Sequence, residues 1–139
     1  MFKDTPISFT GIDHIGIAVK NLEKAIDVWQ DVLSIPISEI EEVPSQRVRV
    51  AVFKVGDSRI ELVEATSPDS PIAKFIASRG EGVHHIALRT QDCGTTLQAL
   101  DKKGIPLVDK TARGGAGNSQ VGFVHPKFLG GVLLEITER

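Results

Sequence analysis

The stretch Asp13–Val19, with the sequence DHIGIAV, recurs in plan in the second half of the chain as His84–Thr90, HHIALRT. Successive side chains of a strand point to opposite faces, so each copy predicts one aliphatic face and one face of small residues. His14 opens the small face of the first copy, and His85 opens that of the second. Because small residues let a ligand or an ion approach the backbone, we expect this face to carry the chemistry. The aliphatic face should pack against a helix.

The composition is that of an ordinary globular protein. The chain has 139 residues, of which 41% are hydrophobic, and a formal net charge of -2. Interspersed acids and bases provide no basic surface for nucleic acid or an anionic membrane, and no apolar run approaches the roughly 20 residues of a membrane span. The single cysteine, Cys93, can form no internal disulfide. Since Met1–Pro6 contains no signal-peptide core, we expect a cytoplasmic protein that folds by packing alone.

The first half predicts a strand, a helix and three further strands. Asn21 is expected to cap a helix whose apolar stripe begins at Leu22, places Trp29 in the core and continues through Val32 and Leu33. Alternating apolar and polar residues then predict three strands, Glu39–Val43, Arg47–Phe53 and Arg59–Glu64.

The second half follows the same plan after a connecting helix over about 70–79, which Ser70 can cap. Asp92 should cap the second-half helix, as Asn21 caps the first. Residues 111–120 are rich in glycine and predict a mobile loop. The chain is therefore expected to be one domain, or two similar halves that share a core, over about 11–66 and about 83–139.

A strand of each half carries one carboxylate between two large aliphatic residues, Glu61 in the first half and Glu135 in the second. A buried carboxylate is costly unless it is paired or binds a metal, so two of them at corresponding places call for a partner. With His14 and His85 they form a set of two imidazoles and two carboxylates, which suits a divalent first-row ion and leaves positions for water or substrate. The alternative is that both glutamates only solvate an exposed strand edge.

Three further segments are more specific than this ligand pattern: GEGVHH at 80–85, SPIAK at 70–74 and HPK at 125–127. Together with DHIGIAV and with IELVE at 60–64, they resemble the methylmalonyl-CoA epimerase family. That family belongs to the vicinal oxygen chelate superfamily, with glyoxalase I, ring-cleaving dioxygenases and bleomycin-binding proteins. The resemblance covers the chain from Gly11 to Arg139.

The resemblance implies an α+β fold in which two tandem βαβββ modules form a curved mixed sheet around a metal cavity, in a single domain over 1–139. It also implies a homodimer and a metal site made of His14, Glu61, His85 and Glu135. The ion is expected to be Co2+, with Mn2+, Ni2+, Zn2+ and Fe2+ as alternatives. The implied reaction interconverts (2R)- and (2S)-methylmalonyl-CoA by removing the C2 proton and returning one on the opposite face.

This reaction needs a Lewis acid for the developing enolate and a base on each face of C2. Glu135 is the first candidate base, since it can alternate between ligand and proton acceptor. Some family members carry a second glutamate near the position of Val50. Its absence leaves Glu61, a water or an unidentified residue for the other face.

Further predictions concern residues outside the proposed metal ligands. His84 has the opposite parity to His85 and is expected in the core. Arg113 and Lys127 are candidates for the phosphates of CoA, and His125 is a candidate substrate contact, although it can equally shape the turn before Pro126. Two rival functions stay open: a glyoxalase I-like lyase or isomerase acting on a glutathione hemithioacetal, and a non-catalytic small-molecule binding module.

Overall fold

The computed structural model describes residues 7–139. The prediction about Met1–Pro6 therefore lies outside the described residues. The described chain divides into two compact units, of which one is His14–His84. The other combines the described residues up to Asp13 with His85–Arg139.

The first half of the chain forms the predicted strand, helix and three strands, followed by the connecting helix. The elements are β1 (Gly11–Ala18), α1 (Leu22–Asp27), β2 (Glu39–Val43), β3 (Val48–Val55), β4 (Ser58–Ala65) and α2 (Pro71–Arg79). β1 pairs in parallel with β4, β4 pairs antiparallel with β3, and β3 pairs antiparallel with β2. The predicted caps are confirmed, since the side chains of Asn21 and Ser70 accept hydrogen bonds from the first turns of α1 and α2.

The second half repeats this plan. Its elements are β5 (Gly82–Arg89), α3 (Cys93–Lys102), β6 (Arg113–Gly114), β7 (Gln120–Val124) and β8 (Leu133–Glu138). β5 pairs in parallel with β8, β8 pairs antiparallel with β7, and β7 pairs antiparallel with β6. The prediction of a loop throughout 111–120 is wrong at β6, because Arg113 and Gly114 pair with β7.

The strands of the first half are hydrogen-bonded in the order β2-β3-β4-β1, and those of the second half in the order β5-β8-β7-β6. Parallel and antiparallel pairs make the sheet mixed, which confirms the predicted α+β class. The α-helices contain six to ten residues. Within residues 7–139, none of the helices has the length and apolar character that crossing a membrane requires.

Both faces of the first-half sheet are covered by helices. The α1 face is filled by a buried cluster that includes Leu22, Phe53 and Leu62. On the opposite face, α2 places Ile72 against a cluster of small and β-branched residues that contains Val50. In the second half, a corresponding cluster joins α3 to the sheet, and its buried members are Cys93, Leu97, Leu100, Val124, Leu134 and Ile136.

The first helix departs from the prediction in its second part. After α1 the chain continues as a π-helical segment, Val28–Val32, in which the N–H of Leu33 donates to the carbonyl of Val28. A wider turn shifts the later side chains around the helix axis, so Val32 and Leu33 are 73% and 51% exposed. The prediction that these two residues pack on the sheet is wrong, whereas Trp29 packs against the buried cluster as expected.

Candidate metal centre

In the first half, strand register places His14 and Glu61 on one face of the sheet. Gly16 of β1 is the neighbour of Glu61 in β4, and residues two apart in a strand share a face. The Nδ1 atom of His14 lies 3.6 Å from Oε2 of Glu61. His14 is buried, and the side chain of Glu61 is 17% exposed, so this imidazole and carboxylate are largely removed from water.

The second half contains the corresponding pair. Glu135 of β8 is the neighbour of Ala87 in β5, two residues from His85. The Nε2 atom of His85 lies 4.0 Å from Oε1 of Glu135. The buried Thr137 donates its hydroxyl hydrogen to Oε2 of Glu135 over 2.5 Å, which fixes the orientation of the carboxylate.

The donor set fits a divalent cation. In each half an imidazole nitrogen lies beside a carboxylate oxygen, and in the second half these atoms belong to His85 and Glu135. In the first half they belong to His14 and Glu61. Imidazole nitrogens and carboxylate oxygens without thiolates are ligands for first-row divalent ions in general, and they do not by themselves select one metal.

His84 is turned away from this site, as its parity predicts. Its ring packs edge-on against Phe75 of α2, with the ring centroids 5.0 Å apart. Burial lowers the pKa of His84 below its ordinary value, because the charged imidazolium loses hydration. His84 is therefore a packing residue of α2 and β5.

A residue that the sequence interpretation missed lies beside Glu61. Arg59 is the β4 neighbour of His14 in β1, and its Nη2 atom lies 3.9 Å from Oε2 of Glu61. The sequence could have indicated this position, because Arg59 precedes Glu61 by two residues in an alternating strand and therefore shares its face.

The predicted substrate-binding residues lie on the elements around β7. Arg113 pairs with Asp109 over 3.4 Å and lies 5.2 Å from the ring centroid of Phe123, the β7 neighbour of Glu135. His125 accepts a hydrogen bond from the N–H of Lys127 at the start of a 3-10 turn, Pro126–Leu129. His125 thus shapes the turn, and its contact with substrate stays a prediction, as do those of Arg113 and Lys127.

The position of Val50 is apolar and covered. Val52 is the β3 neighbour of Glu61, so Val50 lies two residues further along the same face. It is 6% exposed and belongs to the buried cluster that Ile72 of α2 covers. An apolar side chain therefore occupies this position, where some family members carry a glutamate. On this face the acidic residue of β4 near His14 is Glu61.

Sequence comparison matches residues 13–123 to the family model described as the Glyoxalase/Bleomycin resistance protein/Dioxygenase superfamily. The chain belongs to this superfamily. Within the superfamily it belongs to the family of the methylmalonyl-CoA epimerases, since it is 34% identical over 128 residues to the mitochondrial methylmalonyl-CoA epimerase of Mus musculus. That alignment covers 91% of this chain and 72% of the mouse protein.

Solved structures confirm the superfamily fold. The methylmalonyl-CoA epimerase of Mycobacterium tuberculosis superimposes with a TM-score of 0.87 and 39% identity, over 94% of this chain and 88% of that one. A methylmalonyl-CoA epimerase in complex with methylmalonyl-CoA and NH4+ superimposes with a TM-score of 0.88 and 35% identity, over 94% and 95% of the two chains.

Proposed function

We propose that this protein is a methylmalonyl-CoA epimerase that interconverts the (2R) and (2S) epimers through loss and return of the C2 proton. The observation that carries the proposal is the His/Glu pair repeated on corresponding strands of both halves, His14 with Glu61 and His85 with Glu135. The epimerase that resembles this chain in complex with methylmalonyl-CoA supports an acyl-CoA thioester as the substrate.

On this proposal His14, Glu61, His85 and Glu135 hold one divalent ion, with Co2+ as the first candidate and Mn2+, Ni2+, Zn2+ or Fe2+ as alternatives. When bound, the ion supplies a Lewis acid that stabilises negative charge on the thioester oxygen. Burial of the four side chains supports this role, because a water-poor site strengthens the interaction of the ligands with the charge that develops.

The chain's own carboxylates move the proton. Glu135 accepts the C2 proton on one face through Oε1, while the hydroxyl of Thr137 keeps Oε2 in place. Glu61 serves the opposite face, because the apolar Val50 provides no acid or base on β3. An acid and a base held in fixed positions give general acid–base catalysis without reorganisation of solvent.

The proposal also covers the substrate contacts outside the metal ligands and the assembly of the protein. Arg113 and Lys127 meet the phosphates of CoA, and His125 contacts the substrate beside them. The whole chain, 1–139, works as one domain in a cytoplasmic homodimer. Exposed apolar side chains of the π-helical segment after α1, among them Val28 at 50% and Val32 at 73%, support a protein interface.

Proton NMR of methylmalonyl-CoA in D2O tests the reaction. With the purified protein and Co2+, the C2 proton signal should disappear well above the slow uncatalysed exchange. Chelation should stop the loss, and readdition of Co2+ should restore it. No exchange with any of the candidate ions, despite bound metal, would contradict the proposal and favour a glyoxalase-type substrate.

A further inference from the structure

Thr137 of β8 places a buried hydroxyl group against the carboxylate of Glu135. Its Oγ1 atom donates to Oε2 of Glu135 over 2.5 Å, and both residues are buried. The two residues are two positions apart in one strand, so their side chains share a face. A hydroxyl that donates to an ionised carboxylate over so short a distance makes a strong, charge-assisted hydrogen bond.

The sheet holds this hydroxyl in a fixed place. β8 is paired on both sides, with β5 and with β7, and the carbonyl of Thr137 also accepts from the N–H of Thr90 over 2.9 Å. A β-branched side chain has few χ1 rotamers, so the hydroxyl has little freedom to turn away from Glu135. A hydroxyl group carries one hydrogen, and here Oε2 of Glu135 receives it.

The first half has no counterpart of this hydroxyl. Two residues after Glu61 the chain has Val63, a buried side chain without a donor. Thr137 is therefore an addition to the plan that the two halves share. It stands beside Glu135, the glutamate that accepts the C2 proton in the proposed mechanism.

This hydrogen bond bears on how Glu135 can hold an ion. A carboxylate binds a divalent ion through one oxygen or through both. Oε1 of Glu135 lies 4.0 Å from Nε2 of His85, whereas turning Oε2 away from Thr137 would leave a buried hydroxyl without its acceptor. We propose that Thr137 is a positioning residue that restricts Glu135 to binding through one oxygen, which keeps the carboxylate available to the C2 proton. This inference rests on the proposed function.

The visible absorption spectrum of the Co2+-loaded protein tests the inference without substrate, because the Co2+ bands depend on the number and geometry of the ligand atoms. Thr137→Val keeps the shape of the side chain and removes the donor. It should still bind Co2+, since the ligating residues are unchanged, but with altered bands. The rate of C2 exchange at saturating methylmalonyl-CoA should fall about tenfold or more, as is typical for supporting groups around metal ligands, with little change in KM.

Two further variants of the same residue separate the hydroxyl from the packing. Thr137→Ser keeps the donor and should give the wild-type spectrum and most of the exchange rate. Thr137→Ala removes the donor with a smaller side chain and should reproduce the changes seen in Thr137→Val.

Thr96→Val is the matched control. Thr96 of α3 is also buried, and its hydroxyl donates to the carbonyl of Asp92 over 2.8 Å. This variant should lower thermal stability and change neither the Co2+ bands nor the exchange rate.

The inference is overturned by an unchanged spectrum or exchange rate in Thr137→Val, by altered bands in Thr137→Ser or Thr96→Val, or by a wild-type protein that binds no Co2+. Failure of the proposed function is distinguishable, because the wild-type protein would then bind Co2+ and show no C2 exchange. The comparison of Co2+ spectra does not depend on the substrate.

Discussion

At the scale of single residues, the two carboxylate oxygens of Glu135 have different surroundings. Oε2 accepts the hydrogen bond of Thr137, and Oε1 lies on the side of His85. One oxygen is thus held by a hydrogen bond within the strand. On the proposed mechanism, the other oxygen would be the one that exchanges between the metal ion and the proton.

Glu135→Gln tests this separation. The amide keeps the size and the acceptor for Thr137 but cannot take a proton, so the rate of C2 exchange should fall at least about 100-fold. Some affinity for Co2+ should remain, since the other ligands are intact. Exchange measured by NMR at saturating metal reports the chemical step, and an unchanged rate would remove Glu135 as a base.

His85→Ala should lose metal affinity and activity together while the fold survives, because a ligand is removed and the strand keeps its pairing. The loss of Co2+ affinity, measured by calorimetry, should exceed the roughly 10- to 100-fold effect of supporting groups around metal ligands. His84→Ala is the control on the neighbouring position. It removes the contact with Phe75 and should lower thermal stability but keep metal binding.

Cys93 should be chemically inert in the folded protein, because its side chain is fully buried. Burial, followed by the nearby carboxylates of Glu138 and Asp92, raises the pKa of its thiol from 9.0 to about 11. A thiol-reactive chromophore at pH 8 should label the protein only after denaturation.

The same pKa shift makes a prediction about stability. Between pH 9 and 11 the folded state of Cys93 binds the proton more tightly than the unfolded state does. The stabilisation is therefore complete below pH 9 and declines as the pH rises towards 11. Urea titrations of wild type and Cys93→Ala should show a smaller decline for the variant across this range.

At the scale of elements, the sequence predicts strand parity better than helix continuation. Alternation along β1 and β5 is a local property, and it placed His14 and His85 on the small-residue face and turned His84 away. The π-helical segment after α1 has no such local signal, because its apolar residues keep helical spacing while the wider turn rotates Val32 and Leu33 outward. The sequence does not predict β6, because this glycine-rich segment has no strand pattern of its own and becomes a strand only by pairing with β7.

Close packing of α3 on β7 makes Gly122 the sensitive position of that element. A Cβ atom there would clash with Cδ1 of Leu97, which is fully buried. Gly122→Ala should therefore lower the free energy of unfolding by about 1–3 kcal/mol, measured by urea titration. Gly114→Ala on β6 is the control, because a Cβ there meets nothing within 4 Å. Equal effects of the two substitutions would contradict the packing argument.

At the scale of the whole molecule, a cluster of charged side chains around a buried carboxylate connects positions that are far apart in the sequence. Asp13 is fully buried, and Arg139 donates to both of its carboxylate oxygens over 2.8 and 2.9 Å. Arg89 donates to it over 3.2 Å. The three residues flank or belong to the strands β1, β8 and β5, which also carry His14, Glu135 and His85.

Arg139→Met should destabilise the fold, because it leaves the buried Asp13 carboxylate with fewer donors. Loss of one partner of a buried pair costs about 3–5 kcal/mol, and Arg89 should reduce this loss. Thermal unfolding should therefore show a clearly lower Tm for this variant than for Lys110→Met, which changes an exposed cation. Equal melting temperatures would show that the cluster contributes little.

The fold and the candidate site are predicted best from the sequence where the two halves of the chain repeat the same strands and residues. A histidine strand and a glutamate strand in each half predict the proposed ligand set from the sequence, because corresponding positions support each other. Arg59 and the Asp13 cluster occur in one half only, so no internal comparison pointed to them. Their importance depends on which side chains meet in space, as in the contact between Arg139 and Asp13.

The open ends of the strand order bear on how this protein avoids aggregation. β2 at one end presents Glu39, Glu41 and Glu42 along its length, and like charges discourage a second chain from adding to its unpaired backbone groups. β6 at the other end contains two residues, which is too short a template for such addition. We therefore expect the acidic residues of β2 to oppose aggregation, so that neutralising them favours fibril growth while the proposed metal ligands stay intact.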